Sequence, residues 1–180
     1  MLYLACLNQL DPHKIIQMKT VFLALALIIT SQFAHAQLTA TPVCPTFIVD
    51  VLAGTVNEQL APKSAIVEIQ AKFPCSSSMI EKDSVTVCAG VFYPDKGINF
   101  YTGRQYIEIG EKFKGKLTPA LMGTNRGNLF NTLGHPKLKD PAWDAYQMAY
   151  GTLILYYNAA GKINKIQMCS KNTDAIKLCQ

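Results

Sequence analysis

The stretch GTNRGNLFNTLGHPKLKDPAWDAYQMAYGTLILYYNAAGKINKIQM, Gly123–Met168, decides the fold predicted for this chain. It begins with a short helical segment, in which the Thr124 side chain can cap the first turn. Gly134 and Pro136 end the helix, because glycine tolerates a left-handed C-cap and proline cannot continue a helix. A helix followed by a sharp stop is therefore expected here.

A β-hairpin follows that stop. Ala149–Tyr157 is dense in tyrosine, leucine, isoleucine and threonine, which favour strands. Asn158–Gly161 supplies turn residues, and Lys162–Met168 returns as a second apolar strand. The unit predicted by this half of the chain is a helix plus an antiparallel hairpin.

The N-terminal segment has the features of an export signal. Lys19 forms a minimal positive region, Val21–Ile29 is an unbroken apolar run, and Ala34–Ala36 is an A-x-A cleavage site. The run is too short to span a membrane, which takes about 20 residues. We therefore expect residues 1–17 to be an upstream extension before a start at Met18, residues 18–36 to be a signal peptide, and the mature chain to begin at Gln37.

The remaining residues, 37–180, are enough for one domain. Removing Lys14, Lys19 and Asp11 from the chain's 17 basic and 12 acidic residues leaves 15 and 11, a net charge of +4. The lysines are scattered and are not interleaved with stacking aromatics, so a nucleic-acid partner is not expected. No membrane span is expected in this part.

Five cysteines remain in the mature chain, an odd number that predicts two disulfides and one free thiol in an oxidising compartment. Sequence proximity favours the pairs Cys75–Cys88 and Cys169–Cys179. Cys44–Cys75 is the rival pair, because two antiparallel helices would bring these residues together.

The first half of the mature chain is predicted to contain two helices. Val43–Leu60 has apolar residues at helical spacing, although its β-branched residues leave a strand over Thr46–Leu52 as an alternative. Ala65–Phe73 is the second helix, which Pro74 ends, and Cys75–Asp83 is expected to be a polar loop.

Strands are predicted next. Ser84–Tyr93 alternates apolar and other residues, Pro94–Gly97 is a strong turn, and Ile98–Tyr101 begins the return. After another turn at Thr102–Gln105, Tyr106–Leu117 is expected to be one long strand with alternating faces.

The two halves, about residues 43–117 and 118–180, follow the same order of helix, stop, strand, turn and strand. We interpret this as a duplication of one helix-plus-hairpin unit. The expected fold class is α+β, with two such repeats forming one antiparallel sheet and the helices packed on one face.

The second half resembles the β-lactamase-inhibitory-protein-like superfamily, which includes the SmpA/OmlA small outer-membrane proteins. The residues that match its G…L…LG-x-P…Y…G-K-I/V…I pattern are Gly123, Leu129, Leu133, Gly134, Pro136, Tyr150, Gly161, Lys162, Ile163 and Ile166. The resemblance implies an α+β repeat protein that binds other proteins without enzymatic chemistry. This chain departs from the lipoprotein members, because no cysteine directly follows the predicted cleavage site.

Candidate chemical groups are few. His135 is the one histidine of the mature chain, so a histidine-rich metal site cannot form; we interpret it as a helix-terminal residue rather than a general base. Asp140 and Asp144, in a proline-flanked insertion over Lys137–Ala145, offer too few oxygens for a cation and are expected to be solvated loop acids. No catalytic, cofactor or metal residue is predicted.

Two groups of residues are predicted to bind a partner. Trp143, Tyr146 and Tyr150 would form an exposed aromatic anchor, unless they close one end of the core. The second group comprises Lys112, Lys114 and Lys116, which line one face of the predicted long strand. They would meet an acidic partner, or else protect an edge strand against aggregation.

The leading function hypothesis is a periplasmic or extracellular protein-binding module of the inhibitor, immunity or envelope-assembly type, and not an enzyme. The alternatives are a carrier of a small ligand, or a small hydrolase with a carboxylate-based site, since one histidine and no nucleophile motif leave little else. No cofactor is expected, and the partner is expected to be a protein of the cell envelope or beyond it.

Overall fold

A computed structural model describes residues 43–76, 78–80 and 88–176 of the chain, without the side chains of Met79 and Ile80. The predicted extension, signal peptide and cleavage site lie outside these residues, as do residues 84–87 of the predicted strand Ser84–Tyr93 and Cys179. Among the described residues, no helix is long and apolar enough to cross a membrane.

The described residues form mostly strands. In chain order these are β1 (Ile48–Asp50), β2 (Thr55–Val56), β3 (Ser78–Ile80), β4 (Gly90–Tyr93), β5 (Ile98–Tyr101), β6 (Tyr106–Gly110), β7 (Lys116–Thr118), β8 (Leu138–Lys139), β9 (Trp143–Met148), β10 (Gly151–Tyr157) and β11 (Ile163–Cys169). The helices are α1 (Ile66–Lys72), α2 (Phe130–Leu133), and 3-10 turns at Arg126–Asn128 and Thr173–Ala175. The chain is thus mainly antiparallel β-structure with few helices.

Most strands belong to one eight-stranded sheet with the order β3-β4-β5-β6-β11-β10-β9-β8. Every neighbouring pair in it is antiparallel. A smaller sheet has the order β2-β1-β7, in which β1 and β7 run parallel. Strands β6 and β11 meet at the centre of the large sheet, so β8 and β3 lie at its two edges among the described residues.

The predicted hairpin of Ala149–Tyr157 and Lys162–Met168 is confirmed as β10 and β11. Leu155 is opposite Ile166 in its register, and a bulge separates Tyr156 from Tyr157. The turn is held by the Asn158 side chain, whose Oδ1 accepts the N–H groups of Ala160 and Lys162, each at 3.0 Å. The asparagine therefore closes the loop that the sequence pattern placed there.

One face of the large sheet packs into the main apolar cluster. Its buried cross-strand residues are Val91, Tyr93, Ile98, Phe100, Ile107, Ile109, Leu153, Leu155, Ile166 and Met168. Ile69 of α1 and the following Phe73 join the same cluster, and the Phe73 ring stacks on Phe47 at 4.0 Å. The Tyr93 hydroxyl donates to the Phe73 carbonyl at 2.6 Å, so even this buried polar group is satisfied.

The helix predicted over Val43–Leu60 is wrong, and the alternative strand is correct. β1 and β2 form there, and alternate residues Val49 and Val51 are fully buried. The Asn57 side chain fixes the turn, because its Oδ1 accepts the Ile48 N–H and its amide donates to the Thr46 carbonyl. The segment forms strands although its apolar spacing also fits a helix, because β-branched side chains pack well on the pleated surface of a sheet.

The single long strand predicted over Tyr106–Leu117 is also wrong. β6 ends at Gly110, a turn follows, and β7 joins the smaller sheet beside β1. Gly115 lies so close to the Phe47 carbonyl and the Phe113 ring that no side chain fits there. The chain changes sheets at this point because only glycine allows that approach.

Two predicted loops contain strands. β8 and β9 occupy much of the insertion Lys137–Ala145, and β3 lies within the expected loop Cys75–Asp83. Pro141 lies in the connection between β8 and β9, where a missing N–H costs no ladder bond. Polar composition alone therefore does not indicate an irregular loop here, since β3 and β8 lie at edges of the large sheet among the described residues and β9 lies between β8 and β10.

The disulfide found is Cys44–Cys75, the rival pair, with its Cα atoms 5.3 Å apart. The favoured pair Cys75–Cys88 is wrong for that reason. Cys169–Cys179 is wrong as well, because Cys169 is a free thiol buried in β11. Cys88 is disulfide-bonded as well. Proximity in sequence is therefore a poor guide to the pairing in this chain.

Candidate binding cleft

An ion pair with a buried carboxylate lies on β9, next to the edge strand β8 of the large sheet. Asp144 of β9 lies opposite Leu155 in register and is 2% exposed. Its carboxylate accepts hydrogen bonds from Nε and Nη2 of Arg126, the first at 2.9 Å, and from the Tyr157 hydroxyl at 2.7 Å. This two-pronged contact is the strongest arrangement available to an arginine and a carboxylate.

Arg126 also ties down the backbone beside β9. Its Nη2 donates to the Asp140 carbonyl at 2.7 Å, its Nη1 donates to the Pro141 carbonyl at 3.2 Å, and its guanidinium lies 4.8 Å from the centre of the Tyr157 ring. The hydrogen bond to Asp144 raises the pKa of Arg126. Burial, followed by the hydrogen bond to Asp144, raises the pKa of Tyr157. The arginine therefore stays charged and the tyrosine neutral at neutral pH.

An open cleft of about 440 Å³ lies beside this ion pair. Its floor includes the buried side chains of Leu129, Asp144 and Tyr146. Its rim includes Phe130 and Lys139, both of which are exposed. The cleft thus combines a floor held by hydrogen bonds with a rim that includes an exposed aromatic and an exposed cationic residue.

The predicted helix and stop build one wall of the cleft. α2 is shorter than expected, and the Thr124 hydroxyl donates to the Ala120 carbonyl at 3.4 Å instead of capping the helix. Gly134 ends α2 with φ = 71°, a conformation that favours glycine. Phe130 is 57% exposed. Its ring lies 4.7 Å from that of His135, which is also exposed.

The three aromatic residues predicted as one anchor do not share a surface. Trp143 is half-buried on the outer face of β9, opposite Tyr156. Tyr146 points to the inner face and is 3% exposed. The Tyr150 hydroxyl donates to the Val51 carbonyl at 3.1 Å, and burial raises the pKa of this tyrosine. Of the three, Trp143 keeps the exposure that an anchor needs.

The three predicted lysines are exposed, as expected, but they do not line one strand. Lys112 and Lys114 lie in the turn after β6, and Lys116 lies on β7. β7 is an edge of the smaller sheet in the part of the chain described here. The exposure and positive charge of these lysines are therefore compatible with both predicted roles, the protection of an edge strand against aggregation and contact with an acidic partner.

The acids of the predicted insertion have structural contacts. The expectation that Asp144 is solvated is wrong, because Arg126 and Tyr157 bind its buried carboxylate. Asp140 is half-buried, and its Oδ1 accepts the Ala142 N–H at 2.9 Å. Within the described ranges no group of three metal-ligating side chains comes together. Both acids hold the β8–β9 connection in place.

Sequence reasoning missed Arg126, Phe130 and Tyr157 as residues of this site. Arg126 and Asp144 are 18 residues apart, and only the fold brings them together. The signal available was the buried position of Asp144 in an alternating segment, since a buried acid requires a partner.

Comparisons with known proteins give no relative to set beside this geometry. No protein-family model, no curated protein and no solved structure matches the chain. The resemblance to the β-lactamase-inhibitory-protein-like superfamily stays a prediction from the sequence.

Proposed function

We propose that this chain is an exported protein-binding module without enzymatic activity, and that its cleft contacts the partner. The observation that carries the proposal is the large apolar side chain of Phe130, which lines the cleft and is 57% exposed. Exposed large apolar side chains around a rigid depression are typical of protein interaction sites.

The rigid floor supports this function. The ion pair of Arg126 and Asp144 fixes the 3-10 turn before α2 against the connection before β9. A partner that binds here does not have to order these backbone segments, so less binding free energy is lost to conformational entropy.

Export is supported by the Cys44–Cys75 disulfide together with the predicted signal peptide. Disulfides persist in the periplasm and outside cells and are rare in the cytosol. The proposed location is therefore periplasmic or extracellular.

The proposal that this chain is not an enzyme is supported by the hydrogen bonds of its buried acid. Asp144 is the one buried acid among the described residues, and three hydrogen bonds already occupy its carboxylate. A carboxylate-based hydrolase needs an acid that is free to exchange a proton with substrate or water. We therefore place the hydrolase alternative below protein binding.

The order of elements supports the proposed duplication. α1 precedes β3 to β6, α2 precedes β8 to β11, and the two sets of four strands run in opposite order across the sheet. We infer two helix-and-strand repeats, about residues 43–117 and 118–180, with a helix packed on the sheet in each. This arrangement is what the resemblance to the β-lactamase-inhibitory-protein-like superfamily implies.

A small-ligand carrier is the second candidate function. The cleft volume of about 440 Å³ falls in the range of small-molecule sites. Native mass spectrometry of the exported protein distinguishes the two functions, since a carrier would retain a bound small molecule.

The test of protein binding is site-specific photocrosslinking in the exporting cell. A benzophenone side chain replaces Phe130, and a matched control replaces Val67, which is apolar and 71% exposed on α1. We expect a discrete crosslinked protein from position 130 and none from position 67. Crosslinks from position 67 alone, or from neither position, would contradict the proposed site.

A further inference from the structure

We propose that the cleft accepts a large apolar side chain from an acidic segment of the partner protein. This inference rests on the proposed function and adds the chemistry of the partner. The inference is argued from two features, the positive charge of the cleft that no ion pair neutralises and the apolar surface of the cleft.

The charge left over in the cleft is positive. Its charged lining residues are Arg126, Lys139 and Asp144, and the first and last neutralise each other. Lys139 forms no ion pair with any described residue. The backbone of Lys162 pairs with that of Asn125, the residue before Arg126, in an isolated β-bridge. The Lys162 side chain is exposed and forms no ion pair with any described residue. A segment with carboxylates is attracted to this rim, and a basic segment is repelled.

The apolar surface consists of one exposed ring and the floor of the cleft. Phe130 lies on α2 and is exposed, and the floor beside it contains Leu129 and Tyr146. Lys139 of β8 lies opposite Asp144 in register, on the same face of the sheet as this floor. An aromatic or long aliphatic side chain of the partner therefore finds apolar contacts along one side and at its tip, while a flanking carboxylate reaches Lys139.

Gly127 gives a way to fill the cleft without straining the fold. It is a lining residue, and a Cβ atom built on it meets no other atom within 4 Å. Its φ lies outside the left-handed region, so a side chain is compatible with the backbone. Gly127→Trp is thus expected to fold normally and to occupy the space that the partner needs.

The test uses the full chain, isolated after export, and capped five-residue peptides. The first peptide has a central phenylalanine with two glutamates on each side, the second has lysines in place of the glutamates, and the third has a central alanine. Amide NMR signals of Gly127 and Gly134 report on the cleft. We expect the first peptide to shift both signals with a Kd on the order of 1 mM, which corresponds to about −4 kcal/mol.

Two variants identify the contacts. Gly127→Trp should weaken the binding of the first peptide at least about tenfold, and Lys139→Glu about fivefold, with unchanged melting temperatures. The same charge reversal at Lys63, which is exposed and lies outside the cleft lining and the predicted lysine group, is the matched control and should have no effect.

Equal binding of the lysine peptide, equal binding of the alanine peptide, or shifts confined to residues outside the cleft would overturn the proposal, as would no shift at 5 mM peptide, roughly five times the expected Kd. The crosslink from position 130 is independent of these peptides. If that crosslink forms and the acidic peptide does not bind, the cleft contacts a protein of other chemistry. If the peptide binds and no protein is crosslinked, the proposed function fails and the chemistry of the cleft stands.

Discussion

One cross-strand row on the inner face of the large sheet joins two regions that are stabilised in different ways. Its first five members are buried and largely apolar: Tyr93, Ile98, Ile109, Ile166 and Leu155. Its next member is Asp144, which is equally buried and is held by Arg126 and Tyr157. The row thus changes from apolar packing to a directed ion pair between two adjacent strands.

The difference assigns separate roles to the two ends. Apolar packing has no preferred direction, so it stabilises the sheet without fixing any particular loop. The ion pair has strict geometry, so it fixes the backbone around the cleft. Stability therefore comes mainly from the apolar end, and the shape of the binding surface comes from the charged end.

The largest expected effect comes from truncation at the apolar end. Leu155→Ala should lower the free energy of unfolding by ~2–5 kcal/mol, because it opens a cavity among fully buried side chains. This is a large share of the ~5–15 kcal/mol that holds a domain folded. Urea denaturation measures it, with Val67→Ala as the exposed control. Equal urea midpoints for the two variants would show that Leu155 does not contribute to the stability of the core.

The second prediction concerns the charged end. Arg126→Ala leaves the Asp144 carboxylate buried without its cation and should cost ~3 kcal/mol of stability. Tyr157→Phe removes one hydrogen bond to the same carboxylate and should cost about 1–2 kcal/mol. Chemical denaturation of Tyr157→Phe, Arg126→Ala, Asp144→Ala and the Arg126→Ala, Asp144→Ala double variant gives these costs and the coupling energy of the ion pair. Additive single effects would show that no ion pair contributes.

The third prediction is a loss of stability in alkali. Burial raises the pKa of Tyr93 to about 12, above the ordinary value of about 10. The unfolded chain therefore releases this proton first, so the contribution of Tyr93 to stability is complete below pH 10 and falls on the order of 2 kcal/mol as pH rises to about 12. Tyr93→Phe should fold less stably at pH 7, because the bond to Phe73 is lost, and should show a shallower alkaline decline. A decline as steep as in the parent would assign the effect to other tyrosines.

The smallest stability effect is expected on the outer face. Trp143→Ala removes a half-buried side chain away from the inner row and should cost about 1 kcal/mol or less. If Trp143 is an anchor, as the sequence predicts, the same change should weaken a partner by ~2 kcal/mol or more. Melting temperature and partner affinity are measured together. A melting temperature that falls as far as that of Leu155→Ala would make Trp143 a core residue.

The elements that sequence reasoning predicts well are those with local causes. The hairpin of β10 and β11 follows from alternating apolar residues around an asparagine–glycine turn, and the end of α2 follows from Gly134 and Pro136. Each signal lies within a few residues of the structure that it produces. Both elements can therefore be predicted without knowledge of the rest of the fold.

The features that the sequence does not reveal depend on contacts between distant segments. β7 leaves the path of β6 because Gly115 packs against Phe47, which is far away in the chain. The cysteine pairs chosen by proximity fail for a similar reason, since Cys169 is fixed inside β11 and Cys75 is beside Cys44. The candidate site is predicted least well, because Arg126 and Asp144 are 18 residues apart and only the fold brings them together.

The affinity of Phe130→Ala for the protein crosslinked at position 130 tests the central claim most directly, with Val67→Ala as its exposed control. If the charged end fixes a cleft whose rim binds the partner, Phe130→Ala should weaken binding by ~2 kcal/mol, roughly 30-fold, and leave the melting temperature within a few degrees of the parent. Val67→Ala should change neither quantity. An unchanged affinity for Phe130→Ala, or equal losses in the two variants, would contradict the account.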